Sequence, residues 1–512
     1  MTNKLGILGA LTVIAAGALA ATAGTAVAKS APMFKIAMNA DPDVLDMTIS
    51  TNPPQGFATM QNVYDSLDNQ APDGKIIPAL ATSWDIKDGG KVIIFHLRHG
   101  VKFQSGDPMT AADVVWSHYR MLKKALFYPG FARFVTKVKA LGPYTVEYDF
   151  SQPDAQYLPV HPMIVASKRY FDRVGEKEFE KHPVGTGPYK IVDYKPAQYL
   201  DLSTWKGYWG KQPQIKKARF YFVQDANTRV AKLQAGEVDM IMATPYSAYG
   251  QLKKAGFNLV KLPVHPTQSV QFQFANMHDP WHDLRIRRAM AYAIDKTAIV
   301  KGLLHGVPYH YPRLMPDELG YDPHLKQYKY NPAKAKALEA AAGYPHGFTM
   351  PLYVSTGVYY GTEETATAVA LYLKQNLNIT SNLHDLQLIQ LLQKIGAVAS
   401  DPKAEYVAVA GLPVANLPTP LEGISLAFYG KQRLSLYHNS ELDKLFEKAD
   451  STLDLKKQAP LIKRIMAIEQ EDLPTITLWQ YVDVYAMKKN IHYTAGLHNL
   501  EIVYLPWVDE KM

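Results

Sequence analysis

Hydrophobic and polar positions switch between helical and strand-like spacing from about residue 30 to the C-terminus. The segment KVIIFHLR, residues 91–98, is dense in β-branched residues and predicts a strand. The segment after it predicts a helix that begins at a capping box formed by Thr110 and Asp113. The apolar face of this helix is predicted to contain Val115, Tyr119 and Leu122.

The clearest helix signal is HDLRIRRAMAYAIDKTAIVKGLLHG, which predicts one long helix capped by Asp283. An earlier segment, ANTRVAKLQAGEVDMIM, predicts a short helix that ends at Gly236 and leads into a buried strand. The apolar stripe of the long helix is predicted to contain Met290, Ala293, Ile294, Val300, Leu303 and Leu304.

Two further helices follow. YNPAKAKALEAAAGYP has an asparagine cap at Asn331, a proline at the first helical position and a glycine just past the end. TATAVALYLKQNLNI predicts an amphipathic helix. Its inward positions are predicted to be Val369, Leu373 and Leu377. Helices and strands therefore alternate, and the fold class is predicted to be α/β.

The first 30 residues have the layout of a secretory signal peptide. A single lysine precedes an uncharged Ala/Leu/Ile-rich run, which ends at Ala26, Val27 and Ala28, a good cleavage site. A membrane anchor is the alternative, because the run is long enough to span a bilayer. The Ala/Gly-rich composition favours cleavage, since such a segment inserts less firmly than a Leu/Phe-rich one. We therefore predict a signal peptide at 1–28 and a periplasmic mature protein.

Charge and cysteine content narrow the function classes. The chain carries 55 Lys and Arg against 47 Asp and Glu, a formal net charge of +8, and these residues are interspersed. We interpret them as solvated surface and expect no nucleic-acid partner. The chain has no cysteine, which excludes thiolate metal sites, cysteine nucleophiles, disulfides and a lipid-attachment cysteine.

Motifs for catalysis and phosphate binding are missing from the sequence. VGTGPYK, residues 184–190, has Lys190 where a dinucleotide loop needs a third glycine, and the residues after it alternate like a strand. There is no G-x-S-x-G, and the S-x-x-K matches at Ser203 and Ser400 fall in a predicted strand and a proline-containing turn. We predict no catalytic residue, no enzymatic activity and no cofactor.

The 16 histidines show no zinc-binding spacing, and no metal site is predicted from them. A receptor for a metal or haem chelate stays open as an alternative if two or three histidines converge in space. The histidines considered for this are His96, His305, His310 and His384.

A series of blocks in a specific order covers nearly all of the mature chain. They are DVLDM, PALATSWDIKDGGKVIIFHLRHGVKFQSGDPMTAADVVWSHYRM, VGTGPYKI, YWGKQPQIKKARFYFVQD, TRVAKLQAGEVDMI, HDLRIRRAMAYAIDKTAIVKGLLHGVPY, YNPAKAKALEAAAGYP, YHNSELDKLFEKA and LIKRIMAIEQEDLPTITLW. Together they resemble the family 5 solute-binding proteins of ABC importers, which include oligopeptide-, dipeptide-, nickel- and opine-binding proteins. In that family VGTGPYK is a glycine turn that leads into a strand.

The resemblance implies a periplasmic-binding-protein-like fold of two α/β lobes joined by a hinge, with a subdomain inserted in the first lobe. The predicted boundaries are 29–50, 182–268 and 479–512 for lobe I, 51–181 for the inserted subdomain and 269–478 for lobe II. Hinge crossings are expected near HPTQSV and TITLWQ. Closure of the lobes over a ligand would be a ligand-biased shift between two populations.

The resemblance also assigns ligand contacts to three segments. They are the loop after Asp46, the crossing strand TQSVQFQFAN and residues 407–423. Backbone groups of Ser269 and Gln271 are expected to pair with an extended ligand as an added strand. Tyrosines are expected to line the cleft as well. The predicted ligand-binding residues are Asn52, Ser269, Gln271, Tyr359, Tyr360, Gly411, Leu412, Asn416 and Thr419.

The third segment departs from the family pattern. Many members carry a tryptophan and an aspartate there, and in peptide binders the aspartate pairs with the α-amine of the ligand. Here Asn416 and Thr419 stand where acids are expected, and a neutral amide does not replace a buried carboxylate facing an ammonium. A neutral or anionic ligand is therefore favoured, unless the alignment slips by a few residues or Glu422 or Asp401 supplies the carboxylate.

The predicted function is capture of a small organic solute, namely a peptide or a peptide-like or opine-like compound, by a monomeric protein that delivers it to an ABC permease and its ATPase subunits. Three other classes stay open: a receptor for a neutral or anionic non-peptide solute or a metal or haem chelate, an exported hydrolase, and a chaperone with the same fold.

Overall fold

The structure is a computed structural model. It describes residues 32–510 except 43, 51–55, 57–58, 72–74, 126–127, 161–162, 275, 310–312, 317, 326, 357–359, 402, 404, 412–419, 433–434 and 495–502. The predicted signal peptide lies outside these residues. None of the helices in the described part of the chain has the length and apolar character needed to cross a membrane.

The described strands, in chain order, are β1 Met33–Met38, β2 Asp68–Gln70, β3 Ile76–Pro78, β4 Ala81–Lys87, β5 Val92–Leu97, β6 Val135–Gly142, β7 Thr145–Phe150, β8 Tyr189–Lys195, β9 Tyr199–Thr204, β10 Lys217–Phe222, β11 Met240–Ile241, β12 Asn258–Phe272, β13 Thr349–Thr356, β14 Thr380–Gln387, β15 Val407–Gly411, β16 Thr475–Met487, β17 Ile491–Tyr493 and β18 Val508–Glu510.

The described α-helices are α1 Ala111–Lys124, α2 Tyr128–Phe131, α3 Tyr157–Val160, α4 Lys168–Val174, α5 Glu176–Lys181, α6 Ala226–Gln234, α7 Tyr246–Lys254, α8 Leu284–Ala293, α9 Lys296–Ala298, α10 Pro332–Ala341, α11 Thr362–Leu377, α12 Leu388–Ser400, α13 Pro420–Phe428, α14 Ser440–Asp450 and α15 Leu455–Asp472. Short 3₁₀ turns lie at Met47–Ile49, Asp88–Gly90, Pro280–His282 and Leu505–Trp507, and a π-helical turn lies at Ile299–Leu303.

One ten-stranded sheet runs through the molecule in the order β14-β13-β15-β12-β16-β11-β1-β10-β9-β8. The long strands β12 and β16 lie at its centre and pair with each other in antiparallel fashion. We call them the crossing strands. The C-terminal end of β16 pairs with β11, whereas the C-terminal end of β12 pairs with β15. Each crossing strand therefore belongs to both halves of the sheet.

The pairing of the crossing strands is irregular at two points, between Pro263 and Thr267 and between Gln268 and Ser269. Irregular pairing of this kind bends a strand and increases its local twist. On one side of these points lie β1 and β8–β11, which we call the first-lobe strands. On the other side lie β13–β15, the second-lobe strands. The two-lobed α/β architecture is confirmed, while the residue boundaries of the lobes stay predictions.

Separate hydrophobic cores support the two lobes. One core joins the four-stranded sheet β4-β5-β7-β6 to the first-lobe strands, and it includes Phe95, Tyr148 and Phe220. A second core lies between the second-lobe strands and the helices α8 and α11. A third core, which includes Phe428 and Phe446, joins α13, α14 and α15. We call the four-stranded sheet with α1–α5 the inserted subdomain.

Several local predictions from the sequence are confirmed. The Thr110 backbone N–H donates to Asp113 Oδ2 at 2.9 Å, which completes the predicted capping box of α1. Asp283 and Asn331 cap α8 and α10 through their side-chain oxygens. The helix that ends before Gly236 is followed by the buried strand β11. The predicted inward positions of α11, Val369, Leu373 and Leu377, are buried.

The predicted apolar face of α1 is wrong by one position. Tyr119 and Leu122 are 43% and 37% exposed, and Val115 is half-buried. The buried face instead includes Val114, Ser117, His118 and Met121. Polar residues can occupy this face because they are hydrogen-bonded: Ser117 Oγ contacts the backbone of Ala166, and His118 Nδ1 lies 2.8 Å from Tyr128 Oη.

The predicted long helix from Asp283 is broken. It ends at Ala293, and Ile294 adopts an extended conformation. Asp295 then caps a new helix by accepting a hydrogen bond from the Ala298 N–H at 2.9 Å. An internal capping residue competes with helix continuation, and a search for apolar periodicity does not detect it. Of the predicted stripe, Leu303 is 39% exposed and the other members are buried.

VGTGPYK is a turn that leads into β8, as predicted. Its glycines are needed for close backbone approach and not for a positive φ. A Cβ at Gly185 would lie 2.1 Å from the Val63 carbonyl oxygen, and one at Gly187 would lie 2.6 Å from the Val63 carbonyl carbon. The Gly187 N–H donates to the same Val63 oxygen at 2.9 Å. The motif joins two pieces of backbone.

Candidate functional site

A buried arginine lies across the second-lobe ends of the crossing strands. Arg313 Nη1 donates to Thr267 Oγ1 at 3.1 Å, on β12. Its Nη2 donates to Thr475 Oγ1 at 2.6 Å and Thr477 Oγ1 at 3.1 Å, both on β16, and lies 3.4 Å from Glu469 Oε1. We call these five residues the Arg313 cluster. The guanidinium ties the two crossing strands together where their pairing is irregular.

The Arg313 cluster contains one positive and one negative side chain, Arg313 and Glu469, and both are buried. Arg313 is 6% exposed and Glu469 is 2% exposed. Burial lowers the pKa of Arg313, and the Glu469 carboxylate opposes that change. Burial also raises the pKa of Glu469, against the effect of Arg313 and of the Thr475 hydroxyl. One cation and one acid therefore share a dry site, and each depends on the other for its charged form.

The opposite face of the crossing strands carries an aromatic group made of Tyr246, Tyr360, Trp479 and Tyr481, with neighbouring ring centroids 5.8–6.4 Å apart. Arg229 on α6 donates from Nη2 to Tyr360 Oη at 2.8 Å. Its remaining donors are used by four backbone carbonyls at 2.7–3.1 Å. Arg229, which lies beside the first-lobe strands, therefore holds the hydroxyl group of Tyr360, a residue just before α11.

Replacement of Tyr360 with phenylalanine is expected to destabilise the protein by about 1–3 kcal/mol, because one buried donor of Arg229 loses its acceptor. Urea unfolding followed by circular dichroism measures this loss. Tyr330→Phe is the matched control, since Tyr330 is 42% exposed. Equal stability of the two variants would show that Arg229 does not depend on the Tyr360 hydroxyl.

An ion pair between Arg133 and Glu422 joins the inserted subdomain to α13. Arg133 Nη1 donates to both carboxylate oxygens of Glu422, at 3.2 and 3.1 Å. Glu422 is 6% exposed, and it lies close after residues 412–419 in the chain. Asp401, in contrast, is exposed, and its side chain accepts from the Lys403 N–H at 2.9 Å. Of the two alternative amine anchors, Glu422 is therefore already paired with a cation.

Comparisons with known proteins agree with this architecture. The family model described as bacterial extracellular solute-binding proteins, family 5 Middle, matches residues 75–397. The chain belongs to this family of solute-binding proteins. The heme-binding protein A of Haemophilus influenzae is 28% identical over 82% of each chain, and the glutathione-binding protein GsiB of Escherichia coli O1:K1 is 27% identical over 85% of this chain and 86% of its own. The structure of HbpA2 from Haemophilus parasuis has a TM-score of 0.82 at 23% identity and covers 94% of this chain and 100% of its own.

The protein is thus a substrate-binding component of an ABC transporter for a small solute. Its relatives are binding proteins and not enzymes. In a solute-binding protein of two lobes, the segments that lie between the lobes are the candidate ligand contacts. Among the described residues, the segments that belong to both halves of the sheet are the crossing strands.

One predicted ligand interaction of this solute-binding protein is wrong. Ser269 and Gln271 cannot pair through their backbone with an added strand, because both edges of β12 are already occupied there. Ser269 pairs with Ala410 on one side and Thr477 on the other, and Gln271 pairs with Ala408 and Thr475. Contact with the ligand through their side chains stays a prediction. Both side chains are buried.

The remaining predicted contacts are only partly covered by the structure. Gly411 is the last residue of β15 and pairs with Gln268. Tyr360 lies in the aromatic group described above. Asn52, Tyr359, Leu412, Asn416 and Thr419 lie outside the described residues. All nine assignments stay predictions.

The histidines considered for a chelate lie on different elements. His96 on β5 contacts Asp85 at 3.0 Å in the inserted subdomain, whereas His384 on β14 stacks on Tyr353. His305 is exposed, and His310 lies outside the described residues. In the described part of the chain, no group of three or more His, Asp or Glu side chains is placed to hold a metal ion.

The sequence did not predict that Arg133, Arg229 and Arg313 are partly or fully buried and hydrogen-bonded between separate elements. Each stands in a segment of mixed polar character, and a single sequence does not distinguish a buried arginine from a solvated one. The φ of Arg313 is +135°, which a sequence also does not reveal.

Proposed function

We propose that this protein captures a peptide-like or opine-like solute that is anionic, or whose amine is blocked, in the cleft between its two lobes. The pairing of Glu422 with Arg133 carries this proposal. Glu422, the buried acid that follows the predicted binding loop in the chain, already accepts two hydrogen bonds from the Arg133 guanidinium, and Asn416 and Thr419 are uncharged. A free α-amine would therefore lose its hydration without gaining a carboxylate partner.

We also propose how the protein acts in transport. The N-terminal segment directs export to the periplasm and is removed. The mature monomer binds its solute by lobe closure about the irregular part of the crossing strands and presents the closed form to a membrane permease. The protein itself makes and breaks no covalent bond.

Native mass spectrometry of protein purified from the periplasm tests the ligand class. We expect the native mass to exceed the denatured mass, and the released compound to be an anion, a blocked peptide or an opine-like acid. Release of peptides with free α-amines would contradict the proposal. Release of haem or a metal chelate would support the alternative class suggested by the name of one relative.

A thermal-stability panel gives an independent measurement with defined probes. The probes are glutathione, a dipeptide, its N-acetylated form and haemin. A probe present at 100 times its dissociation constant should add about 2.7 kcal/mol of stability. Asn416→Asp is the matched variant, because an added carboxylate should shift the preference from the acetylated to the free dipeptide. An unchanged preference would place Asn416 outside the ligand contacts.

A further inference from the structure

An arginine and three carboxyl groups meet where the inserted subdomain contacts the second lobe. Arg133 follows α2, and Asp154 follows β7, both in the subdomain. Glu422 lies on α13 and Asp450 ends α14. Besides its two bonds to Glu422, Arg133 donates from Nη2 to Asp450 Oδ2 at 3.2 Å. We call these four residues the latch cluster.

The latch cluster is part of a wider contact between the inserted subdomain and the second lobe. The Ala155 N–H donates to the Asp450 carbonyl oxygen at 2.8 Å, beside the charged groups. Close by, the turn at Gly90 packs so tightly that an added Cβ would lie 2.6 Å from Leu453 Cδ1. The residues flanking Arg133, Ala132 and Phe134, pack in the core of the first lobe, whereas Phe428 of α13 packs in a core of the second. This contact therefore joins the lobes away from the crossing strands.

Three acids share one cation in the latch cluster. Asp154, Glu422 and Asp450 are 6%, 6% and 5% exposed. Asp450 faces Arg133, Glu422 and Asp154, and its Oδ1 has no hydrogen-bond partner among the described residues. A buried carboxylate oxygen without a donor favours the protonated acid.

The excess of buried acids over cations is reflected in the pKa values of Asp450 and Asp154. Burial raises the pKa of Asp450 to about 7, against the opposing effect of Arg133 and with help from Glu422 and Asp154. Burial raises the pKa of Asp154 to about 6, again opposed by Arg133. Separation of the lobes at this contact would expose both side chains to water, where an aspartate has a pKa of about 3.9.

We propose that the latch cluster couples closure of the lobes to proton uptake, so that the closed form is held at mildly acidic pH and released as the pH rises. The proposal rests on the proposed function, because it assumes that the two lobes open and close about the crossing strands.

Closure becomes less favourable as the pH rises, because the closed state binds more protons than the open state. Below about pH 4 the aspartates are protonated in both states, and closure does not depend on pH. Between about pH 4 and pH 7 the open state loses protons that the closed state retains, so closure becomes less favourable as the pH rises. Above about pH 8 both states have lost these protons, and the full cost is present. One proton corresponds to at most about a tenfold fall in the closed-to-open ratio between pH 6 and pH 7.

The absence of cysteine makes a distance measurement simple. Leu141 on the inserted subdomain and Leu371 on α11 are 51% and 55% exposed, and replacing both with cysteine gives two labelling positions in an otherwise cysteine-free chain. Single-molecule energy transfer between attached dyes then reports the distance between the lobes. Measured without added ligand from pH 5 to pH 8, the wild-type background is expected to lose closed molecules as the pH rises.

Variants test whether the latch cluster is responsible. Asp450→Asn cannot lose a proton, so the fall in closed molecules between pH 6 and pH 7 should largely disappear. Asp154→Asn should act in the same direction at lower pH. Asp68→Asn is the matched control, because burial raises the pKa of Asp68 on β2 to about 8 and Asp68 does not belong to the latch cluster. It should alter stability with pH and leave the distance profile unchanged.

A distance distribution that does not change between pH 5 and pH 8 overturns the proposal, whether the lobes are open or closed. An unaltered pH profile in Asp450→Asn, with circular dichroism showing that the variant is folded, overturns it as well. Neither result bears on ligand capture, which the native mass measurement tests separately.

Discussion

Replacement of Arg313 with leucine is expected to destabilise the folded protein by about 3–5 kcal/mol at neutral pH. The substitution leaves Glu469, which is 2% exposed, as an acid without its cation, and removing one partner of a buried pair costs that much. It also removes the donors to Thr267, Thr475 and Thr477 on the crossing strands. Urea unfolding at several pH values measures the effect. The loss should be smaller at pH 5 than at pH 8, because Glu469 can then be protonated.

A double variant separates the charge from the packing. Arg313→Leu with Glu469→Leu removes both charges together, and exchange of a whole buried pair for apolar residues is often close to neutral. The double variant should therefore be more stable than Arg313→Leu. Arg464→Gln is the control for an exposed pair, in which Arg464 and Glu441 are 45% and 61% exposed. Its effect should stay within about 1 kcal/mol. Equal losses in Arg313→Leu and Arg464→Gln would contradict the dependence of Glu469 on Arg313.

Replacement of Gly185 with alanine is expected to cost about 3 kcal/mol or more. The new Cβ would lie 2.1 Å from the Val63 carbonyl oxygen and 2.9 Å from the Tyr64 Cα. These are backbone atoms, which cannot rotate away as the end of a side chain can, so overpacking here strains two segments at once. The measurement is again urea unfolding, together with the yield of folded protein from the periplasm.

The matched control is Gly142→Ala at the end of β6. An added Cβ at that position meets no atom within 4 Å, and Gly142 has no positive φ. Its stability should change by about 0.5 kcal/mol or less. A wild-type stability for Gly185→Ala would mean that the turn moves away from Val63 without loss, and that close approach does not explain the glycine.

Local signals in the sequence predicted local structure well. Thr110, Asp283 and Asn331 cap helices where expected, because capping depends on a few neighbouring residues. The order of motif blocks predicted the two-lobed fold, since those blocks extend over nearly the whole chain. The helix break at Ile294 was missed because the apolar period continues across it.

Long-range partners were beyond what one sequence reveals. Arg133 and Glu422 are 289 residues apart, and Arg313 and Glu469 are 156 residues apart. Nothing in the composition around an arginine specifies which distant acid faces it after folding. The occupied edges of β12 were missed for the same reason, because β15 and β16 come from later parts of the chain.

The position of β16 has a consequence for the order in which the protein can fold. This strand lies between β12 and β11 at the centre of the sheet, yet it is supplied by residues 475–487 of a 512-residue chain. Neither lobe has its complete sheet until that strand arrives, although domains usually fold as units from the N-terminus during synthesis. A chain that emerges from the ribosome therefore lacks the central strand of its native sheet until residues 475–487 have been made.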